Sequence, residues 1–350
     1  DSLQAGGVLA GAVRRVDLVE HRHDLAALHA DCLQMAQDGD FAVVDSGGYA
    51  YPIGARDCVA QEHIPFIGVI GPIPSEAAQY YPYLFSPAAD IGTDMKDMVY
   101  GMRLEGFFDP SRGFRKLGLL QDDCSIDLDK LLQSYLAAIG VSGTRLVVDT
   151  FSCPSSGFAA PSDMEQAAVS FKSAGVTNVI PLTGGGSFNE FTRLAQQQGF
   201  HPHYTISDYD GLISTSATSQ SPDSSNVDGT VSITPSHAGE LTSGLSDPGT
   251  QACIQELTSH GLPASDVGQP GGGIYCTVID MFADAARKDP GLTRSKLVTG
   301  LDQVGAVQFA SPFGPSVFNQ ARQVSGGSYW WPIQWHASCT CWKVLNPEMQ

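Results

Sequence analysis

Between residues 116 and 207 the chain alternates short β-branched and aliphatic runs with longer stretches whose apolar residues recur every three or four positions. Short runs of this kind are strand signals and the three-to-four spacing is an amphipathic-helix signal, so successive βα units are expected. The run 116–121 leads into a helix that carries Leu128, Leu131, Leu132, Tyr135 and Ile139 on one face and stops at Gly140. Residues 145–151 form the next strand. Ser162 and Glu165 have capping-box spacing ahead of Ala167, Ala168 and Phe171, and Gly175 ends that helix. After a strand at 177–183, Ser187 and Glu190 repeat the cap. Phe191, Leu194 and Ala195 carry the apolar face, and Gly199 precedes a strand at 204–207. Strands joined through single crossover helices run parallel with helices on both faces, which predicts a doubly wound α/β layer.

The same theme recurs more faintly upstream: a strand at 15–19, a helix from Asp24 to about Gln37, a strand at 41–45, a short helix at 53–61 and a strand at 65–70. A second α/β lobe follows from it. Met95, Met98, Val99 and Met102 form one more amphipathic face. Beyond a strand at 229–234 the pattern loosens into Ser- and Gly-rich loops around a helix at 275–287. The lobes are expected to comprise 1–108 with 236–312, and 109–235 with 313–350.

Composition narrows the picture. A chain of 350 residues exceeds the usual size of a single core. No run of roughly 18 apolar residues spans a bilayer. A net charge of −18, from 19 Lys and Arg against 37 Asp and Glu, disfavours nucleic acid as a partner. Eight cysteines point to an oxidising, extracytoplasmic setting. They are expected to act as local staples: Cys32 with Cys58, Cys124 with Cys153, and Cys253 with Cys276. Cys339 and Cys341 are left over, because a C-x-C bridge is strained. The segment from Asp1 lacks the basic start and apolar stretch of a signal peptide, which is expected to have been removed already.

Searches for catalysis return little. There is no G-x-S-x-G elbow, Walker lysine loop, H-E-x-x-H or strand-linked G-x-G-x-x-G. His336, Cys339 and Cys341 give three metal ligands at cramped spacing without a fourth, so neither a metal nor a cofactor is expected. Gly184 to Gly186, between a strand and the helix at Ser187, fall at the carboxyl edge of a parallel sheet. Ligands bind at that edge in open α/β folds, although a tight turn with Ser187 only capping its helix is the bland alternative.

Several stretches, in order, carry a family resemblance: Gly6-Gly7-Val8-Leu9 with 16–19, Ala42 to Val44, Ile64 to Ile67, Leu117 to Asp123, Ala174 to Ile180, and Gly199 to Pro202. Together they resemble the type I periplasmic binding proteins of the branched-chain amino acid receptor branch. The resemblance implies two Rossmann-like lobes joined by three crossovers and a ligand held in the interlobe cleft by hinge closure. It also implies a bridge at the equivalents of Cys32 and Cys58. Members begin with a strand and helix ahead of the glycine segment, whereas Asp1 here falls within that helix, so contacts from the first strand–helix loop stay unassigned. The implied ligand residues are Ser46, Gly47, Gly48, Tyr49, Gly68 and Gly71 in the first lobe, and Asp122, Asp123, Gly185, Ser187, Asp208 and Tyr209 in the second. Backbone N–H groups and hydroxyls such as Ser46 would hold a carboxylate, and Asp208 or Asp122 an ammonium, since a desolvated charge needs a partner. A solvated loop carboxylate is the plain alternative for each acid.

The expected function is that of a monomeric, non-enzymatic solute receptor of an ABC importer. It would be exported to the periplasm or lipid-anchored at the cell surface, and would deliver an amino acid or related small carboxylate or amide to a membrane permease. A sensor domain of the same fold, signalling through a protein partner, is the alternative, and a hydrolase or dehydrogenase stands third.

Overall fold

The computed structural model describes residues 25–45, 50–69, 71, 74–123, 126–152, 159–183, 185–207, 224–245, 247–263, 272–288, 293–310, 312–318 and 323–345. The chain forms two compact units, residues 1–91 with 247–329 and residues 92–246 with 330–350, and passes between them three times.

The first unit opens with α1 (Leu25–Asp38), β1 (Val43–Asp45), α2 (Ala50–Gln61), β2 (Phe66–Gly68), α3 (Pro74–Tyr80) and β3 (Leu84–Phe85). The three strands are parallel in the order β1-β2-β3, with Val43 opposite Phe66 and Phe66 opposite Leu84. Successive side chains of β2 point to opposite faces. Phe66 therefore packs with Leu28, Met35, Val59 and Ile64 from the α1 and α2 side. Ile67 joins a different cluster with Met281, Phe282, Leu297 and Leu301. Both faces of the sheet are covered, as a parallel sheet requires.

Helix α4 (Ile91–Leu104) leads into the second unit, where β4 (Leu117–Asp122), α5 (Ile126–Ala138), β5 (Leu146–Phe151), α6 (Pro161–Ala174), β6 (Asn178–Leu182), α7 (Gly185–Gln197) and β7 (His203–Tyr204) follow in turn. All four strands are parallel, in the order β5-β4-β6-β7. Leu117, Leu119 and Leu120 of the central strand β4 are fully buried. Gly175 ends α6 in the left-handed region at φ +74°, and its N–H bonds back to Phe171 and Lys172 carbonyls. Both expected caps are displaced. Helix α6 starts at Pro161 with Ala160 in the cap position and no side-chain cap, because proline is preset for the first helical residue. Ser187 lies inside α7, which already begins at Gly185.

After α8 (Ser224–Val227) and β8 (Val231–Thr234) the chain returns to the first unit with α9 (Pro248–Ser259), α10 (Gly272–Lys288), α11 (Arg294–Asp302), β9 (Gly305–Val307) and β10 (Ser316–Phe318). It then rejoins the second with β11 (Trp331–His336) and β12 (Cys341–Val344), which form an antiparallel sheet in the order β12-β11-β8. Helices α10 and α11 cover the Ile67 face of the first sheet. Arg294 donates to the Asp40 and Glu62 carbonyls and ties α11 to the ends of α1 and α2.

The passages fall at 91/92, 246/247 and 329/330, whereas the sequence places them at 108/109, 235/236 and 312/313. Local bonds account for the difference. Asn178 Nδ2 donates to the Phe107 carbonyl at 2.8 Å and Trp331 Nε1 to that of Ser236 at 3.0 Å, which holds 92–108 and 236–246 in the second unit. Ser316 Oγ donates to the Pro87 carbonyl at 2.5 Å and holds the 313–329 region in the first.

Cys32–Cys58 bridges α1 to α2 with a Cα–Cα distance of 6.2 Å, and Cys253–Cys276 bridges α9 to α10 at 5.9 Å. Cys339 and Cys341, left over in the sequence reading, are joined to each other at 5.2 Å. The 124–153 pairing lies outside the described residues.

Candidate ligand-binding site

Parallel strands deliver their following loops to one edge, and in each unit the carboxyl ends of the strands gather polar groups there. In the second unit β4 ends at Asp122, half-buried, and the exposed Asp123 follows with its N–H bonded to the Phe151 carbonyl at 3.1 Å. The neighbouring strand β6 ends one position short of the β4 end, with Gln121 opposite Leu182. Thr183, buried, and the start of α7 at Gly185 come next. The acids at the end of β4 and the opening turn of α7 therefore follow adjacent strands of one parallel sheet. A negative site stands beside the positive end of a helix, an arrangement suited to a group that carries both an ammonium and a carboxylate.

Ser187 is almost fully buried, and its hydroxyl accepts a hydrogen bond from Ala159 N at 2.9 Å. That bond ties the segment entering α6 to the first turn of α7. Ser207, just after β7, is also buried. Asp208 and Tyr209 lie outside the described residues.

In the first unit, Gly68 ends β2 opposite Asp45, the buried final residue of β1. Gly71 makes a parallel bridge to Asp90, and its carbonyl accepts from Ile91 N at 3.2 Å. A Cβ on Gly71 would collide with Ser325 Oγ and come within 2.9 Å of Asp90 Cα, so close approach of two backbones requires glycine there. Ser46, Gly47, Gly48 and Tyr49 lie outside the described residues.

A buried polar network that the sequence reading missed supports the β4 edge. Gln121 Nε2 donates to Asp129 Oδ2 at 2.8 Å, and Gln133 Nε2 donates to Gln121 Oε1 at 3.3 Å. Asp129 is 4% exposed, and among the described residues its Oδ1 has no hydrogen-bond partner. Burial, and secondarily the charge of Asp122, pushes its carboxyl up to about 7. The available signal was a glutamine inside an otherwise aliphatic strand, and an acid placed beside Leu128 and Leu132 on the helix that follows. Asp45, at the end of a β-branched run, carried a similar signal.

Two units with parallel sheets and polar carboxyl edges, joined by three passages of the chain, define a two-lobed α/β solute-binding architecture of type I. The periplasmic binding protein family model matches residues 26–337, and the chain belongs to that family. No curated protein matches it in sequence. Among solved structures it is similar to a possible leucine/isoleucine/valine-binding protein from Rhodopirellula baltica SH 1, with 15% identity, TM-score 0.74 and coverage of 99% of this chain and 88% of that one. It is similar to a leucine binding protein from Thermotoga maritima MSB8 at 11% identity, TM-score 0.72 and coverage of 100% and 94%. A solute binding protein of an ABC transporter from R. palustris, solved in complex with 4-hydroxybenzoate, matches at 12% identity, TM-score 0.68 and coverage of 95% and 87%. The family consists of extracytoplasmic proteins that bind small solutes and work with membrane permeases. None of the described helices is long and apolar enough to cross a membrane.

Proposed function

We propose that this chain captures a small polar solute bearing a carboxylate, an amino acid or a related carboxylate or amide, and passes it as a monomer to the permease of an ABC importer. The observation that carries this reading is the pairing, on adjacent strands, of the acids after β4 with the N–H-rich opening of α7. Asp122 then holds the ligand's ammonium, and the α7 turn its carboxylate. Leucine and 4-hydroxybenzoate, named with the solved relatives, share the carboxylate and differ in the cation. Asp122 is thus the residue that separates amino acids from simple aromatic acids. The interlobe binding and hinge closure expected from the sequence belong to the same proposal.

A thermal-shift screen of amino acids, aromatic carboxylates, polyamines and ureas tests it. A hundredfold excess over Kd should stabilise the protein by about 2.7 kcal/mol. For an amino-acid ligand, Asp122→Asn should cost about 2 kcal/mol or more, a roughly thirtyfold rise in Kd by calorimetry, because it leaves a desolvated ammonium unpaired. An unchanged Kd removes Asp122 from the site. Silence across the screen together with turnover of some substrate defeats the receptor reading.

A further inference from the structure

The Cys339–Cys341 bridge closes a turn of only three residues at the tip of the β11–β12 hairpin. A loop this short removes little freedom from the unfolded chain, so the bridge is a weaker staple than Cys32–Cys58 with its sequence separation of 26. Nor is it what holds the hairpin. Ile333 to His336 pair in register with Val344 to Cys341, the Trp335 and Trp342 rings meet edge-on at 5.5 Å, and Ala337 N donates to Asp228 Oδ1 at 2.8 Å. The bridged turn is itself constrained: Thr340, between the two cysteines, sits at φ +51°, a left-handed conformation that β-branched residues rarely adopt. Its two sulfurs have unequal access, since Cys339 is exposed and Cys341 is 7% exposed. The other bridges are less open: Cys32, Cys58 and Cys253 are buried and Cys276 is half-buried, so neither carries a fully exposed sulfur.

From this we infer that Cys339–Cys341 is a thiol–disulfide exchange site, attacked at the Cys339 sulfur by external thiols while the rest of the fold stays intact. Exposed, conformationally constrained disulfides are the reducible ones. An incoming thiolate forms a bond to Cys339 Sγ as the Sγ–Sγ bond breaks, and the electron pair leaves on Cys341 Sγ, which takes a proton from solvent. With a dithiol, its second thiolate attacks the mixed disulfide and releases Cys339 as a thiolate. The pair gains two electrons and the dithiol becomes a disulfide. Run in reverse, the reduced pair passes two electrons to a disulfide.

The folded full chain, equilibrated in graded reduced and oxidised dithiothreitol, acid-quenched, alkylated and peptide-mapped, tests this. Cys339 and Cys341 should reach half-reduction at a reductant ratio at least about tenfold lower than Cys32–Cys58 and Cys253–Cys276. Far-UV circular dichroism should stay unchanged while the fluorescence from Trp335 and Trp342 shifts. A pair that survives ratios opening either of the other bridges, or that opens only as the protein unfolds, overturns the proposal. Cys341→Ser treated with oxidised glutathione should take up one glutathione on Cys339, and Cys339→Ser should leave Cys341 unmodified. Labelling confined to Cys341 in the second variant overturns the direction of attack.

Discussion

The two parallel sheets meet the same demand, burial of a strand's two faces, by different means. In the first unit the strands are two or three residues long, and each helical layer over them carries a covalent staple, Cys32–Cys58 on one side and Cys253–Cys276 on the other. In the second, β4 and β5 run for six residues each, and beneath β4 lies the network of Gln121, Asp129 and Gln133. A short sheet offers few ladder bonds and little area, so cross-linking its helices offsets the deficit. The longer sheet holds a half-satisfied acid under its carboxyl edge.

The largest effect that would test this contrast is Phe66→Ala in the short sheet. It should destabilise by about 3–5 kcal/mol in urea unfolding, through the cavity left between α1 and α2. Next comes Cys32→Ser with Cys58→Ser, expected to cost about 2–4 kcal/mol. A loss near zero would show that the first sheet does not need its staples.

Asp129→Asn probes the longer sheet through pH. The folded carboxyl titrates near 7, above its ordinary value of 3.8, so between those limits the native state holds a proton that the unfolded chain has released. The stability from that proton is complete below the lower limit and is lost as pH rises to about 7. The variant should therefore flatten the fall in stability between pH 5 and pH 8 by on the order of 2–3 kcal/mol, read from urea midpoints at the two pH values. An equal fall in both proteins would remove Asp129 as its source. Smallest is Ser187→Ala, expected to cost about 1–2 kcal/mol by leaving Ala159 N without its acceptor.

Those two sheets were also unequally legible. The helices α5, α6 and α7 and their strands follow directly from spacing, and their glycine stops stand where expected because φ beyond +60° is a local, side-chain-driven property. Helix starts shifted by two or three residues; at α6 the proline at 161 outweighs the serine after it. Beyond 235 the pattern predicts only the helix at 275–287, which is α10, and the loops expected around it hold α9, α11 and the β9–β10 and β11–β12 pairs as well. The buried alternation of Trp331, Ile333 and Trp335 is a strand signal that the sequence analysis missed, and the partner strand β8 is far away along the chain. At the site, Asp122 and Asp123 were legible as strand-end acids. Asp129 was not, because its importance comes from burial that only tertiary packing decides.

Phe66 and Ile67 are adjacent in sequence but meet their neighbours at different times during synthesis. Phe66 finds α1 and α2 among residues already made, whereas most of the buried residues that shelter Ile67, all but Phe85, lie from Val278 to Phe318 and leave the ribosome only after the whole middle of the chain. For most of translation one side of β2 faces water, so a nascent chain halted before residue 278 should show an apolar surface that the finished protein hides.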